Sequence, residues 1–175
     1  MTKQYELKIL ENFSKARVAV LGDMMLDVYV WGQVNRISPE APVPVVSVKK
    51  RTSCLGGAAN VMRNIATLGA HAEGFGVIGS DEAGQQVIAE LKNANILPDG
   101  VITVPDRPTT EKRRIMASGQ QLLRIDEENI SPVPDDIRRK LVSNIHAVYP
   151  VREVEAAHAV LRRSENIGKV ILTIR

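Results

Sequence analysis

The sequence holds a single cysteine, Cys54, which excludes an internal disulfide and any metal site built from several thiolates. Aromatic residues make up only 3% of the chain. Single-strand nucleic-acid binding, in which aromatics interleave with basic residues and stack on bases, is therefore not expected. No apolar run approaches the roughly 20 residues that cross a bilayer. The stretch from Met1 to Lys15 has polar breaks throughout and does not read as a signal peptide. Neither sign of charge dominates. The net charge is +3, and 23 basic and 20 acidic residues are interspersed as on a solvated surface. His71, His146 and His158 lie far apart without ligand spacing, so no metal site is expected on them. A soluble cytoplasmic protein with no membrane and no nucleic-acid partner is the expectation.

What is present is enough apolar material, 44% of 175 residues, for one domain or a domain with an appendage. Residues 5–14 read as a short helix. Arg17 to Gly22 is a short apolar run closed by glycine, the pattern of a buried parallel strand. Trp31 to Pro44 reads as irregular, with Pro39, Pro42 and Pro44, and Val43 to Lys49 as an exposed strand. After Gly56-Gly57, Val61, Met62, Ile65, Ala66 and Leu68 recur at helical spacing up to a closing Gly69. His71–Gly79 is a strand. Ser80 is placed to cap a helix from Asp81 to about Asn93. Gly100–Val104 is a strand, and Thr109–Asp126 a strand pair turning at Ala117-Ser118-Gly119. Helices are expected over Asp135–His146 and Val151–Arg163, then a last strand over Lys169–Ile174. The βαβαβ order predicts an α/β sheet, with the 43–49 and 109–126 strands as a separate small β-layer.

Two features carry chemistry. Asp23 and Asp27 follow the end of the first strand, the edge at which open α/β sheets bind ligands. Asp23 reads equally as a turn cap, whereas Asp27, inside Leu26–Val30, is a carboxylate in an apolar run that requires a partner or a ligand. The Gly56-Gly57-Ala58-Ala59-Asn60 stretch combines a flexible backbone, free N–H groups at a helix start and an amide suited to a sugar hydroxyl. A plain helix start with a packing glycine is the alternative. Cys54 reads as an incidental thiol, since no base accompanies it in sequence. Gly74-x-Gly76-x-x-Gly79 has dinucleotide spacing but sits within a strand instead of opening a helix.

Four runs resemble the ribokinase family of carbohydrate kinases, here across roughly the first 145 residues. They are Gly22-Asp23-Met24-Met25-Leu26-Asp27, Arg36-Ile37-Ser38-Pro39-Glu40-Ala41-Pro42-Val43-Pro44-Val45, Gly56-Gly57-Ala58-Ala59-Asn60-Val61 and Gln120-Gln121-Leu122-Leu123-Arg124-Ile125-Asp126. The second run is the most specific. It points to the heptose-7-phosphate kinase branch, whose members carry the kinase domain in a bifunctional kinase/adenylyltransferase. The resemblance implies part of a ribokinase-like three-layer α/β sandwich with a small β-lid. It implies that Asp27 and Asn60 bind sugar hydroxyls and that Gly56 and Gly57 form the hinge between body and lid. Arg36, Lys112, Arg114 and Arg124 then become candidates for the substrate phosphate, with solvated lid charges as the alternative. The implied ligand is heptose 7-phosphate, and the implied association is a homodimer through the lid.

The sequence also departs from the family. Complete members bind ATP and Mg²⁺ and carry a Gly-Ala-Gly-Asp run whose aspartate activates the sugar hydroxyl. No Gly-x-Gly-Asp and no Walker A run occurs in these 175 residues. The expectation is a sugar-binding half with no catalytic base, no cofactor site and no activity by itself. Residues 148–175, through Val148–His158 and Ile167–Leu172, resemble instead the C-terminal end of quinone-oxidoreductase-type medium-chain dehydrogenases. A fusion near Ile145–Val148 is the corresponding expectation, giving segments 1–147 and 148–175. A non-catalytic binding or dimerisation module stands as the alternative function, and an oxidoreductase as the weakest.

Overall fold

The computed structural model describes residues 11–148 and the backbone of 170–174. After a 3-10 turn at Phe13–Lys15 the elements run β1 (Arg17–Leu21), β2 (Met24–Ile37), β3 (Pro44–Gly56), α1 (Gly57–Thr67), β4 (His71–Ile78), α2 (Glu82–Asn93), β5 (Val101–Thr103), β6 (Thr110–Ala117), β7 (Gln120–Glu127), α3 (Asp135–Val148) and β8 (Val170–Ile174). Most of the expected 5–14 helix, and the whole helix expected at Val151–Arg163, lie outside the described residues.

Two four-stranded sheets divide the work. The first has the order β5-β4-β1-β8. In it β1, β4 and β5 are parallel, and β8 closes the edge antiparallel to β1, with Val20 opposite Ile171. The alternation of β1 sends its side chains to two cores. Val20 joins Met62, Val87 and Leu91 from α1 and α2 on one face, and Ala19 and Leu21 join Phe75, Leu141 and Ile145 toward α3 on the other. The result is a three-layer α/β body, as expected.

The second sheet, β3-β2-β6-β7, is larger than the sequence suggests. Residues 31–37 are not irregular. They continue β2 as one 14-residue strand, because β3 pairs with it from Gly56 opposite Met25 to Pro44 opposite Ile37. β3 likewise runs to Gly56 instead of stopping near 49. The prolines mark only the turn between the two strands. β6 lies parallel to β2, and β7 returns antiparallel through Ser118 and Gly119, whose φ values of +50° and +78° fit a two-residue hairpin turn.

The helix α2 departs from expectation at its start. Asp81, not Ser80, is its cap. The Asp81 carboxylate accepts from Gly84 N–H at 2.8 Å, and also from Thr109 N–H at 2.7 Å and the Thr109 hydroxyl at 2.6 Å. Thr109 Oγ1 in turn accepts from Gly79 N–H at 2.8 Å. One carboxylate therefore ties the β4–α2 turn to the first residues of the second sheet. Burial pushes the Asp81 carboxyl up, but the three hydrogen bonds outweigh it and hold it below its ordinary value. Arg107 fixes the neighbouring passage by donating to the carbonyls of Ser131, at 2.8 Å, and Asn129.

Gly74 and Gly76 lie within β4, where an added Cβ would strike the Met62 side chain and the Gly22 carbonyl respectively. Their spacing is explained by close packing against Met62 and the Gly22 carbonyl, and α2 begins only at Glu82.

Candidate functional site

The strand β2 sorts its side chains by alternation. Met24 and Leu26 are buried in the α1–α2 core and Val28 packs against it, so Asp27, Tyr29 and Trp31 occupy the other face of the second sheet. The register adds partners to that face. Cys54 of β3 and Lys112 of β6 flank Asp27, Thr52 and Arg114 flank Tyr29, and Asp126 and Arg124 of β7 lie beside Lys112 and Arg114.

These residues interact. Arg114 Nη1 donates to Asp27 Oδ1 at 2.5 Å and to the Lys112 carbonyl at 3.3 Å. Its guanidinium lies over the Tyr29 ring, 5.4 Å from the centroid. Tyr29 and Trp31 stack at 5.8 Å with 15° between their planes, and Trp31 Nε1 donates to Thr52 Oγ1 at 2.9 Å. Lys112 Nζ donates to Asp126 Oδ2 and Glu128 Oε2, both at 3.1 Å. Arg124 grips Asp126 with two bonds of 2.7 and 2.9 Å.

Charge pairing shifts the titrating groups. Burial lowers the affinity of Lys112 for its proton, but the hydrogen bonds to Glu128 and Asp126 outweigh it and hold the ammonium above its ordinary range. The Arg124 hydrogen bond holds Asp126 below the usual carboxylate value. Burial, then the Asp27 carboxylate, pushes the Cys54 thiol up, which disfavours the thiolate.

The glycine pair stands beside this cluster. A Cβ on Gly56 would lie 2.7 Å from Asp27 Oδ2, so any side chain there would displace the carboxylate. Gly57 has φ +55°, which turns the chain from β3 into α1. Ala58 N–H then donates to the Asp23 carbonyl at 2.9 Å, which ties the β1–β2 passage to the helix start. Asn60, in the first turn of α1, accepts from Arg63 Nη2 at 2.9 Å through Oδ1, leaving its amide N–H₂ to donate. At the adjacent C-terminal ends of β1 and β4 an open cavity of about 260 Å³ is lined by Gly22, Asp23, Gly76 and Arg138 among others.

The structure thus brings Asp27, Lys112, Arg114 and Arg124 together on one face, with Gly56 against Asp27. Arg36 is not among them. It lies nine residues farther along β2, roughly 30 Å at strand rise, because that strand runs on unbroken instead of folding back. Sequence reasoning missed Tyr29, Trp31, Thr52 and Asp126. The i, i+2, i+4 spacing of Asp27, Tyr29 and Trp31 was the available signal, hidden by reading the strand as ending near Val30.

The pfkB family of carbohydrate kinases matches residues 15–150. The chain belongs to that family. It is 40% identical over 167 residues to the bifunctional protein HldE of Wolinella succinogenes, covering 95% of this chain and 34% of that protein. It is 49% identical over 122 residues to HldE of Caulobacter sp. (strain K31), covering 70% and 25%. The chain therefore spans a quarter to a third of the length of these curated relatives. The Wolinella match extends past residue 148 into the segment whose dehydrogenase likeness falls mostly outside the described residues. Among solved structures, Arabidopsis thaliana ribokinase complexed with ribose and ATP superposes with a TM-score of 0.55 at 24% identity, over 72% of this chain and 42% of that one. That likeness establishes the ribokinase fold.

Proposed function

We propose that this chain carries the sugar-binding side of a heptose-7-phosphate kinase site. In that reaction the ATP γ-phosphate passes to the anomeric hydroxyl, giving a 1,7-bisphosphate on the ADP-heptose route to the lipopolysaccharide inner core. The observation that carries the reading is the Asp27 carboxylate, 21% exposed beside Gly56, with Arg114, Lys112 and Arg124 on the same face. A carboxylate accepts from sugar hydroxyls, and a planar guanidinium suits a phosphate. Asn60 supplies a further amide donor. Arg36 belongs to this site only if a second copy brings it there.

The nucleotide side is a different matter. Among the described residues no three His, Cys, Asp or Glu side chains group to hold a metal ion, and the sequence has no Gly-x-Gly-Asp run. We therefore read the chain as binding sugar phosphate without turning over ATP. The division of the chain near residue 148 has no support from β8, which pairs with β1 along its whole length. A cytoplasmic location accompanies this reading. Among the described residues no helix is long and apolar enough to cross a membrane.

Calorimetric titration of the chain with heptose 7-phosphate, after a cooperative melt is established, is the test. Saturable binding with no ATP hydrolysis is the expected result. Absence of binding would remove the sugar reading, and turnover would remove the inactivity.

A second reading, a lid-to-lid dimer, is favoured by one observation. β3 is an edge strand of the second sheet, with Val48 on it and Val43 just before it more than 40% exposed. Sedimentation velocity over a concentration series should show a dimer if that edge pairs. A monomer at every concentration would dismiss it.

A further inference from the structure

We infer that Tyr29 and Trp31 are positioning residues that hold the Arg114 guanidinium for an anionic sugar, so that preference for phosphorylated over unphosphorylated sugar depends on this aromatic pair. The inference rests on the sugar-phosphate reading above.

The chain has few aromatics, two Phe, three Tyr and one Trp, yet two of these six stand two residues apart on the polar face of β2. Neither belongs to the core. Trp31 is 40% exposed, a costly place for an indole unless its position serves something. Its ring is fixed from two sides, by the stack on Tyr29 and by the hydrogen bond of Nε1 to Thr52. Tyr29 is thereby fixed as well, and it offers a ring face to Arg114.

A guanidinium can lie on an aromatic face while its in-plane N–H groups stay available. Arg114 commits Nη1 to Asp27 and to the Lys112 carbonyl. Its Nε and Nη2 donate to nothing among the described residues. Asp27 on one side, and Tyr29, Trp31 and Thr52 on the other, are therefore a continuous support for a guanidinium with spare parallel donors. Those donors match a phosphate in two parallel charge-assisted bonds that a neutral sugar hydroxyl cannot supply. An arginine held in place loses less freedom on binding than one that must be ordered by its ligand.

The experiment titrates the 175-residue chain with heptose 7-phosphate and with unphosphorylated heptose. Tyr29→Leu should lower affinity for the phosphorylated sugar about tenfold, roughly one charge-assisted hydrogen bond, and leave the neutral sugar unchanged. Tyr29→Phe should keep the preference, because it keeps the ring. Arg114→Gln should match Tyr29→Leu, and the double variant should lose little more, since the two act through one guanidinium. An equal loss for both sugars, or an unchanged preference, would overturn the inference while leaving the sugar reading intact. No binding by the unaltered chain would remove both. Trp31, the sole tryptophan, gives a second readout that does not depend on how Tyr29→Leu folds. Its emission should shift on adding phosphorylated sugar and should not shift in Arg114→Gln. An emission indifferent to a ligand that calorimetry detects would also overturn the inference.

Discussion

Asp27→Ala should weaken heptose 7-phosphate binding by at least a hundredfold while leaving the fold intact. On the sugar-phosphate reading proposed above, the carboxylate beside Gly56 takes hydrogen bonds from sugar hydroxyls, each contributing about 1.5–3 kcal/mol. Two such bonds correspond to two or more decades in Kd. Its loss also releases Arg114, which is held at 2.5 Å, so the neighbouring cationic cluster is disturbed as well. The cost to stability is smaller. Both partners are 21% exposed, and ion pairs in contact with water contribute about 0–1 kcal/mol. Calorimetry and a thermal melt on the same sample separate the two effects. A variant that melts normally and still binds with wild-type affinity would take Asp27 out of the site. Gly56→Ala should behave alike by a different route, since its new Cβ would press on the same carboxylate.

The local features of this site were legible in the sequence, and the long-range ones were not. Gly56-Gly57 before an apolar helical stripe announces a helix start, and a buried strand is plain in Val18-Ala19-Val20-Leu21. The Ser118-Gly119 turn follows from residues that tolerate positive φ. By contrast, the prolines at 39, 42 and 44 suggested an irregular stretch where β2 continues to Ile37. Pairing with β3, not local propensity, decides that stretch. An apolar run such as Val170–Ile174 looks the same whichever way it enters a sheet, so the antiparallel β8 was not foreseeable. Ser80 and Asp81 are both good caps. What selects Asp81 is Thr109, 28 residues away, which donates twice to the same carboxylate. The Asp27–Arg114 pair, 87 residues apart, is of the same kind. The candidate cations could be named from the sequence, but which of them meets the aspartate is fixed by sheet register.

The Asp81 network makes the largest stability prediction. Asp81→Ala should destabilise the chain by about 3 kcal/mol at neutral pH. It removes a helix cap, worth about 1 kcal/mol. It also strips partners from the Thr109 N–H and from a Thr109 hydroxyl in a residue only 2% exposed, and buried donors left unsatisfied cost about 1–3 kcal/mol each. For a domain of this size the melting temperature should fall by about 10 °C. The pH dependence separates a carboxylate effect from a merely structural one. The folded-state pKa of Asp81 lies below the ordinary carboxylate value of about 3.9, so between the two the unfolded chain binds more protons than the folded one. Stability therefore rises with pH through that window. The contribution is fully present above about pH 4 and is lost as pH falls through the folded value. Wild type and Asp81→Ala should differ most at neutral pH and converge in acid. Asp81→Asn, which still accepts hydrogen bonds but carries no charge, should fall between them at neutral pH and lack the acid transition. Urea denaturation of the three proteins at pH 7 and near pH 3 reads this directly. A gap between wild type and Asp81→Ala that stays constant across that range would mean that the carboxylate charge contributes nothing and that Asp81 acts only through hydrogen bonds that a neutral acceptor makes equally well.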